Sequence, residues 1–170
     1  VCARNKDKTL FNRSKVQELG TPIAIIKSKP SDPIANNASQ NKATGLPKDL
    51  VLAKGCSVLL TRNLWPEAGL CNGSKGTVKH IIYDKNKKPP LLPLCVIVHF
   101  EKYLGPWYMG LERCFPIVPE TSQWYENQKS VTRTMVPLNL GYAISIHKSQ
   151  GMTIENVIAN IGSNEFASGL

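Results

Sequence analysis

The sequence predicts an α/β chain that contains a small antiparallel β unit. Three observations predict it. Between Leu50 and Pro119, short β-branched runs alternate with Gly, Asn and Pro at about ten-residue intervals, the pattern of a compact all-β unit. Ahead of that unit, an apolar Val1-Cys-Ala3 leads through a polar turn into a segment with loose helical spacing. After it, the stretch from Ala143 to Val157 runs apolar, then polar, is broken at Gly151, and turns apolar again through Ile161.

At the N-terminus, Val1-Cys-Ala3 reads as a strand and Arg4-Asn-Lys-Asp7 as a turn whose Asn5 or Asp7 can cap a helix. Leu10, Phe11, Ser14 and Leu19 follow helical spacing, with Val16 filling the face, and Gly20-Thr-Pro22 ends the element. Pro22 to Leu46 is rich in turn formers and reads as an irregular, mobile surface loop. In the β unit, Cys56–Thr61, Gly76–Tyr83, Leu94–Phe100 and Trp107–Met109 read as strands, and Asp84-Lys-Asn-Lys-Lys88 with Pro89-Pro90 as a hairpin tip. Such a set suggests a small barrel. Asn72-Gly73 suits a tight turn, and Gly76 suits a strand entry with close backbone approach. Glu120 to Ser130 returns the chain, and Val131–Val136 alternates as a strand. Trp124 and Tyr125, beside Lys129 and Arg133, fit either packing under the β unit or stacking on nucleobases.

The charge is +9 with a pI near 9.4, an excess that points to an anionic partner, nucleic acid before membrane surface. No apolar run approaches the about twenty residues that span a bilayer. The five cysteines are odd in number, none lies in a Cys-x-x-Cys pair, and His80, His99 and His147 are not at ligand spacing. Reduced thiols in an intracellular chain, without zinc or disulfides, are the expectation. A chain that opens on Val1 without Met reads as a piece of something longer.

The polar centre of the third segment, His147-Lys-Ser-Gln150, sits between two apolar runs and is poorly placed for a merely solvated face. Hydroxyl, imidazole and amide groups there are suited to phosphate or sugar oxygens without reading base sequence. Ala143-Ile-Ser-Ile-His-Lys-Ser-Gln-Gly-Met-Thr153, with Pro137-Leu138 before it and Gly162, Glu165-Phe-Ala167 and Gly169-Leu170 after it, resembles the fifth conserved motif of superfamily 1 DNA helicases. The resemblance is closest to the Pif-type enzymes, their bacterial relative RecD and the helicase domain of Helitron transposons. Asn5 and Asn12 resemble the opening of that family's second motor domain. Val58-Leu-Leu-Thr-Arg-Asn-Leu64, Gly69-Leu-Cys-Asn-Gly73 and Gly76-Thr-Val78 resemble its inserted SH3-like barrel.

The resemblance implies half of a RecA-like motor domain with an inserted small SH3-like antiparallel β barrel. Residues 1–48 would open the motor domain, 49–125 form the barrel and 126–170 complete the motor domain. It implies single-stranded DNA contacts for Ser145 and His147, and places Gln150, Gly151 and Thr153 near the nucleotide or the relay between the two sites, while Lys148 either joins the DNA contacts or is solvated. Arg62 and Lys75 either line the DNA channel or serve the barrel. Two departures stand out: Ser145 replaces the usual Thr and keeps the hydroxyl, and Met135 replaces a frequent Gln.

The complete parent would be a 5′-to-3′ DNA helicase that uses ATP and Mg²⁺. The partners implied are single-stranded DNA and the first motor domain of the same polypeptide, in a nucleus or mitochondrion if the source is eukaryotic. Hydrolysis needs a Gly-x-x-x-x-Gly-Lys-Ser/Thr loop, and Gly69, Gly73 and Gly76 do not give that order. The chain alone is therefore expected not to turn over ATP or to hold it tightly. The alternatives are a nucleic-acid-binding module without enzymatic action and an inactive transposon-helicase remnant.

Overall fold

The computed structural model describes residues 5–144 and Ile158. Its element order is α1 (Asn5–Gln17), β1 (Ile23–Lys27), β2 (Lys29–Pro30), α2 (Pro33–Asn37), β3 (Asp49–Ala53), β4 (Ser57–Leu60), a 3-10 turn at Pro66–Ala68, β5 (Lys75–Ile82), β6 (Cys95–Phe100), β7 (Cys114–Ile117), β8 (Glu120–Glu126), β9 (Lys129–Met135) and β10 (Leu138–Leu140). Every strand pairing among these residues is antiparallel. Five strands form one sheet in the order β10-β4-β5-β6-β7, while β1-β3 and β2-β9-β8 form two smaller sheets. The described residues are thus mostly sheet. The strands expected at Val1–Ala3 and Val157–Ile161 lie outside them, apart from Ile158.

The five-stranded sheet follows from alternation. Val58 and Leu60 on β4, Gly76 and Val78 on β5, and Val96, Val98 and Phe100 on β6 turn to one buried face. They share a single core with Ile26 of β1, Leu50 and Leu52 of β3, Met135 of β9 and Val16 of α1. Gly76 lies where β5 packs closely on β6. A Cβ there would stand 2.5 Å from Val98 Cγ1 and 2.8 Å from the His99 carbonyl, so glycine is required by space. The Asn72-Gly73 turn is present, with Gly73 at φ +91° and its amide donating to the Leu60 carbonyl at 2.8 Å.

Three expectations are corrected. The stretch from Pro22 to Leu46 is not an irregular loop. Ile23-Ala-Ile-Ile-Lys27 alternates out and in, and pairs with β3 from Ile23↔Ala53 to Lys27↔Asp49. Asp32 then caps α2, its side chain accepting from the Ala35 amide at 2.9 Å, and Pro33 fills the first turn. The pairing of β1 with β3, and of β2 with β9, ties residues on both sides of position 48 into the common core.

Trp107–Met109 is not a strand. Gly105-Pro106 interrupts the ladder, and Tyr108 bridges Leu111 around a tight turn with Met109 at φ +50° and Gly110 at φ +76°. The fourth paired strand of that hairpin series is β7, joined to β6 from Val96↔Ile117 to His99↔Cys114.

On α1, the face that docks is set by Asn12 and Val16, four residues apart and both buried. Leu10, Phe11 and Leu19 are on the exposed side, at 58%, 45% and 37% exposure.

Candidate nucleic-acid interface

A cleft of about 1030 Å³ opens between α1, the 38–51 segment, β4, the Asn72-Gly73 turn and β10. Lys8 and Arg13 of α1 and Lys48 line it, opposed by one carboxylate, Asp49. Its floor carries buried polar groups. Thr61 is 8% exposed with an unpartnered hydroxyl, and Arg133 is fully buried with an unpartnered Nε–H. Ala143 and Ile144 form one wall, immediately before Ser145.

Arg133 builds the side of the cleft formed by residues 35–46. Its strand β9 alternates so that Val131, Arg133 and Met135 all face inward. A charge at such a position must be met by acceptors. The guanidinium donates to the carbonyls of Ala35, Leu46 (3.2 Å) and Ala38 (2.7 Å), which closes the C-terminal end of α2. It also lies 5.9 Å from the Trp124 ring. Burial pulls its pKa below the ordinary arginine value, and the nearby Asp49 charge opposes that shift. Arg133 and Trp124 are therefore packing partners. Tyr125, 78% exposed, is the aromatic of this pair that stays open to solvent.

Of the residues singled out in the sequence, Ser145, His147, Lys148, Gln150, Gly151 and Thr153 lie outside the described residues. Arg62 and Lys75 are described. Arg62 is half-buried and internally engaged. It pairs with Glu120 at 2.8 Å, its Nε donates to the Thr44 carbonyl at 3.0 Å, and another nitrogen bonds the Thr44 hydroxyl. Its charge is committed to joining β4, β8 and the 38–48 segment. Lys75 is exposed at the start of β5, opposite Leu59. Neither Arg62 nor Lys75 lines the cleft.

The cations that line it, Lys8, Arg13 and Lys48, had no sequence signal beyond the basic total. Thr61 and Asn139 line it as well. The glycines do not form a phosphate cradle: Gly69 and Gly73 spend their amides on Pro66 and Leu60, and Gly76 is inside a strand. The described residues include no group of three or more His, Cys, Asp or Glu side chains placed to hold a metal. Cys56, Cys71, Cys95 and Cys114 are free thiols, and burial pushes the Cys56, Cys95 and Cys114 thiols up, away from nucleophilic use.

A family model described as DNA helicase Pif1, 2B domain, matches residues 38–81, the stretch from the end of α2 through most of β5. An ATP-dependent DNA helicase PIF1 from Danio rerio is 31% identical over 159 residues, covering 92% of this chain. This is a Pif1-type helicase segment. It spans 22% of the length of that relative. The solved Pif1 helicase of Candida albicans shares the fold, with a TM-score of 0.66, 22% identity, and coverage of 92% of this chain and 37% of that one. A Bacteroides Pif1 solved bound to ssDNA aligns with a TM-score of 0.60 and 20% identity, over 94% of this chain and 33% of that one.

Proposed function

We propose that this chain belongs to an ATP-dependent DNA helicase and contributes single-stranded DNA binding to it. The carrying observation is the wall of the cleft. Lys8, Arg13 and Lys48 line a groove with Ala143 and Ile144 at its edge, and Ser145, His147 and Lys148 follow these two in the sequence. Cations along a groove track a phosphate backbone, and uncharged donors fix its register without reading bases. The Bacteroides relative bound to ssDNA supports the same ligand class.

In this reading residues 49–125, which hold β4 to β7 of the five-stranded sheet, form the inserted SH3-like barrel, and residues 1–48 with 126–170 belong to a RecA-like half whose other half lies elsewhere in the same polypeptide. Gln150, Gly151 and Thr153 face the nucleotide, ATP with Mg²⁺ in the whole enzyme, by resemblance of their motif alone. Because Gly69, Gly73 and Gly76 do not give the Gly-x-x-x-x-Gly-Lys-Ser/Thr order, the chain by itself is expected to show no ATP turnover. Turnover above the level of a Gly151-deleted control would contradict this.

The binding role is tested by replacing Ser145 and His147 together with alanine. Two hydrogen bonds to phosphate oxygens are lost, each worth about 0.5–1.5 kcal/mol net. The affinity for a fluorescent oligo(dT), followed by anisotropy, is expected to fall about tenfold or more, with the melting midpoint unchanged. Equal affinities for the variant and the parent chain would remove these two residues from the interface.

A further inference from the structure

Asn12 is the most buried polar residue of α1, at 5% exposure, and its partner is 131 residues away. Its Nδ2 donates to the Ala143 carbonyl at 3.0 Å, and its Oδ1 accepts from the Ala143 amide at 2.8 Å. The side-chain amide thus occupies both backbone groups of one residue, as a neighbouring strand would. Ala143 is itself buried. Two residues earlier, the Gly141 amide donates to the Ser57 carbonyl at 2.8 Å. A Cβ on Gly141 would come within 2.9 Å of Ser57 Oγ and 3.1 Å of the Val58 carbonyl carbon. The chain leaving β10 is therefore held on β4 at Gly141 and on α1 at Ala143, just before Ser145.

We infer that Asn12 is a positioning residue: it clamps Ala143 to α1 and so fixes the edge of the cleft from which the chain continues into the sequence Ser145–Thr153. This rests on the proposed DNA-binding role of that segment. The geometry distinguishes the clamp from ordinary helix docking. Val16, one turn along the same face and fully buried, already supplies apolar contact for α1. An apolar residue at position 12 would bury that face equally well, whereas only a primary amide both donates to and accepts from the same peptide unit. A polar pair of this kind fixes a register more than it adds stability.

The test uses the 170-residue chain, with Asn12→Ala and Asn12→Asp. Aspartate keeps the acceptor for the Ala143 amide and loses the donor to its carbonyl. Amide hydrogen exchange reports the clamp, and oligo(dT) anisotropy reports its consequence. In Asn12→Ala, the Ala143 amide is expected to lose protection, amides of the 144–153 segment to exchange faster, and oligo(dT) affinity to fall about tenfold, the size of losing a satisfied buried pair. Amides of β5 and β6 serve as the internal control and are expected to keep theirs. Asn12→Asp is expected to retain Ala143 protection in part and to bind with intermediate affinity.

If Asn12→Ala also loses β5–β6 protection, it has unfolded and the aspartate variant decides. Full Ala143 protection in a folded variant would overturn the clamp. Lost protection with parental affinity would overturn its positioning role. If the parent chain binds no oligo(dT), the proposed function falls, and exchange at Ala143 and along 144–153 decides the clamp by itself.

Discussion

Replacing Arg133 with methionine is expected to destabilise the fold by about 3–5 kcal/mol, because several buried carbonyls lose their donor at about 1–3 kcal/mol each. Methionine fills comparable space and matches the apolar company of Val131 and Met135, so little of the loss comes from a cavity. The loss comes from the carbonyls left behind. Those of Ala35, Ala38 and Leu46 point at the guanidinium and, once it is gone, at nothing. The end of α2 and the start of the 38–48 segment then have no anchor on β9.

For a chain of this size the melting midpoint is expected to fall by about 10 °C. Arg133→Lys is expected to recover only part, because one ammonium cannot spread over three separated carbonyls as a planar fork does. Thermal unfolding followed by circular dichroism measures all three proteins. A methionine variant that melts within about 2 °C of the parent would show that these carbonyls find other partners.

The second large effect is the response of DNA binding to salt. Four cations are proposed to meet phosphates: Lys8, Arg13 and Lys48 in the cleft, and Lys148 of the motif that follows Ile144 in the sequence. Each phosphate neutralised on a single strand contributes about −0.7 to the slope of log affinity against log salt, so the expected slope is about −2.8. Raising salt fourfold, from about 50 to about 200 mM, is then expected to weaken oligo(dT) binding about fiftyfold. Removing the Lys48 charge by Lys48→Gln is expected to make the slope shallower by about one contact's worth. A flat response would remove the phosphate contacts from the account. An unchanged slope in Lys48→Gln would remove that side of the cleft.

Much of the sheet was legible, because its signals are local. Val58 and Leu60, Val78, and Val96, Val98 and Phe100 announce their burial through period-two alternation, and Asn72-Gly73 announces its turn. The same rule was available for Ile23-Ala-Ile-Ile-Lys27, where the prolines and asparagines that follow masked it. Asp32-Pro33 is likewise a legible helix start that reads as a turn when the helix is only five residues long. Trp107–Met109 misled in the other direction, its aromatic and β-forming residues outweighing Gly105-Pro106 and Gly110.

The cleft was not legible, and the reason is distance along the chain. Arg133 meets acceptors 87 to 98 residues away, and Asn12 meets Ala143 across 131. Nothing in the neighbourhood of either residue says that such partners exist. In Val131-Thr-Arg-Thr-Met135 the only local hint is that arginine holds an inward position. Arg62 shows the converse: a basic residue beside a matching motif invites a DNA role, yet Glu120 and Thr44 hold it in place. The segment from Ser145 to Thr153 remains a sequence argument, attached to the fold through Ala143.

The most direct test of the central claim, that single-stranded DNA lies along this cleft, is an amide-exchange footprint of the chain with and without saturating oligo(dT). Slowed exchange is predicted in α1 around Lys8 to Arg13, in the stretch from Gln40 to Lys48, and from Ala143 onward, with β6 and β7 unchanged. Protection concentrated on β6 and β7, with α1 and the 40–48 stretch exchanging as in the free protein, would contradict it.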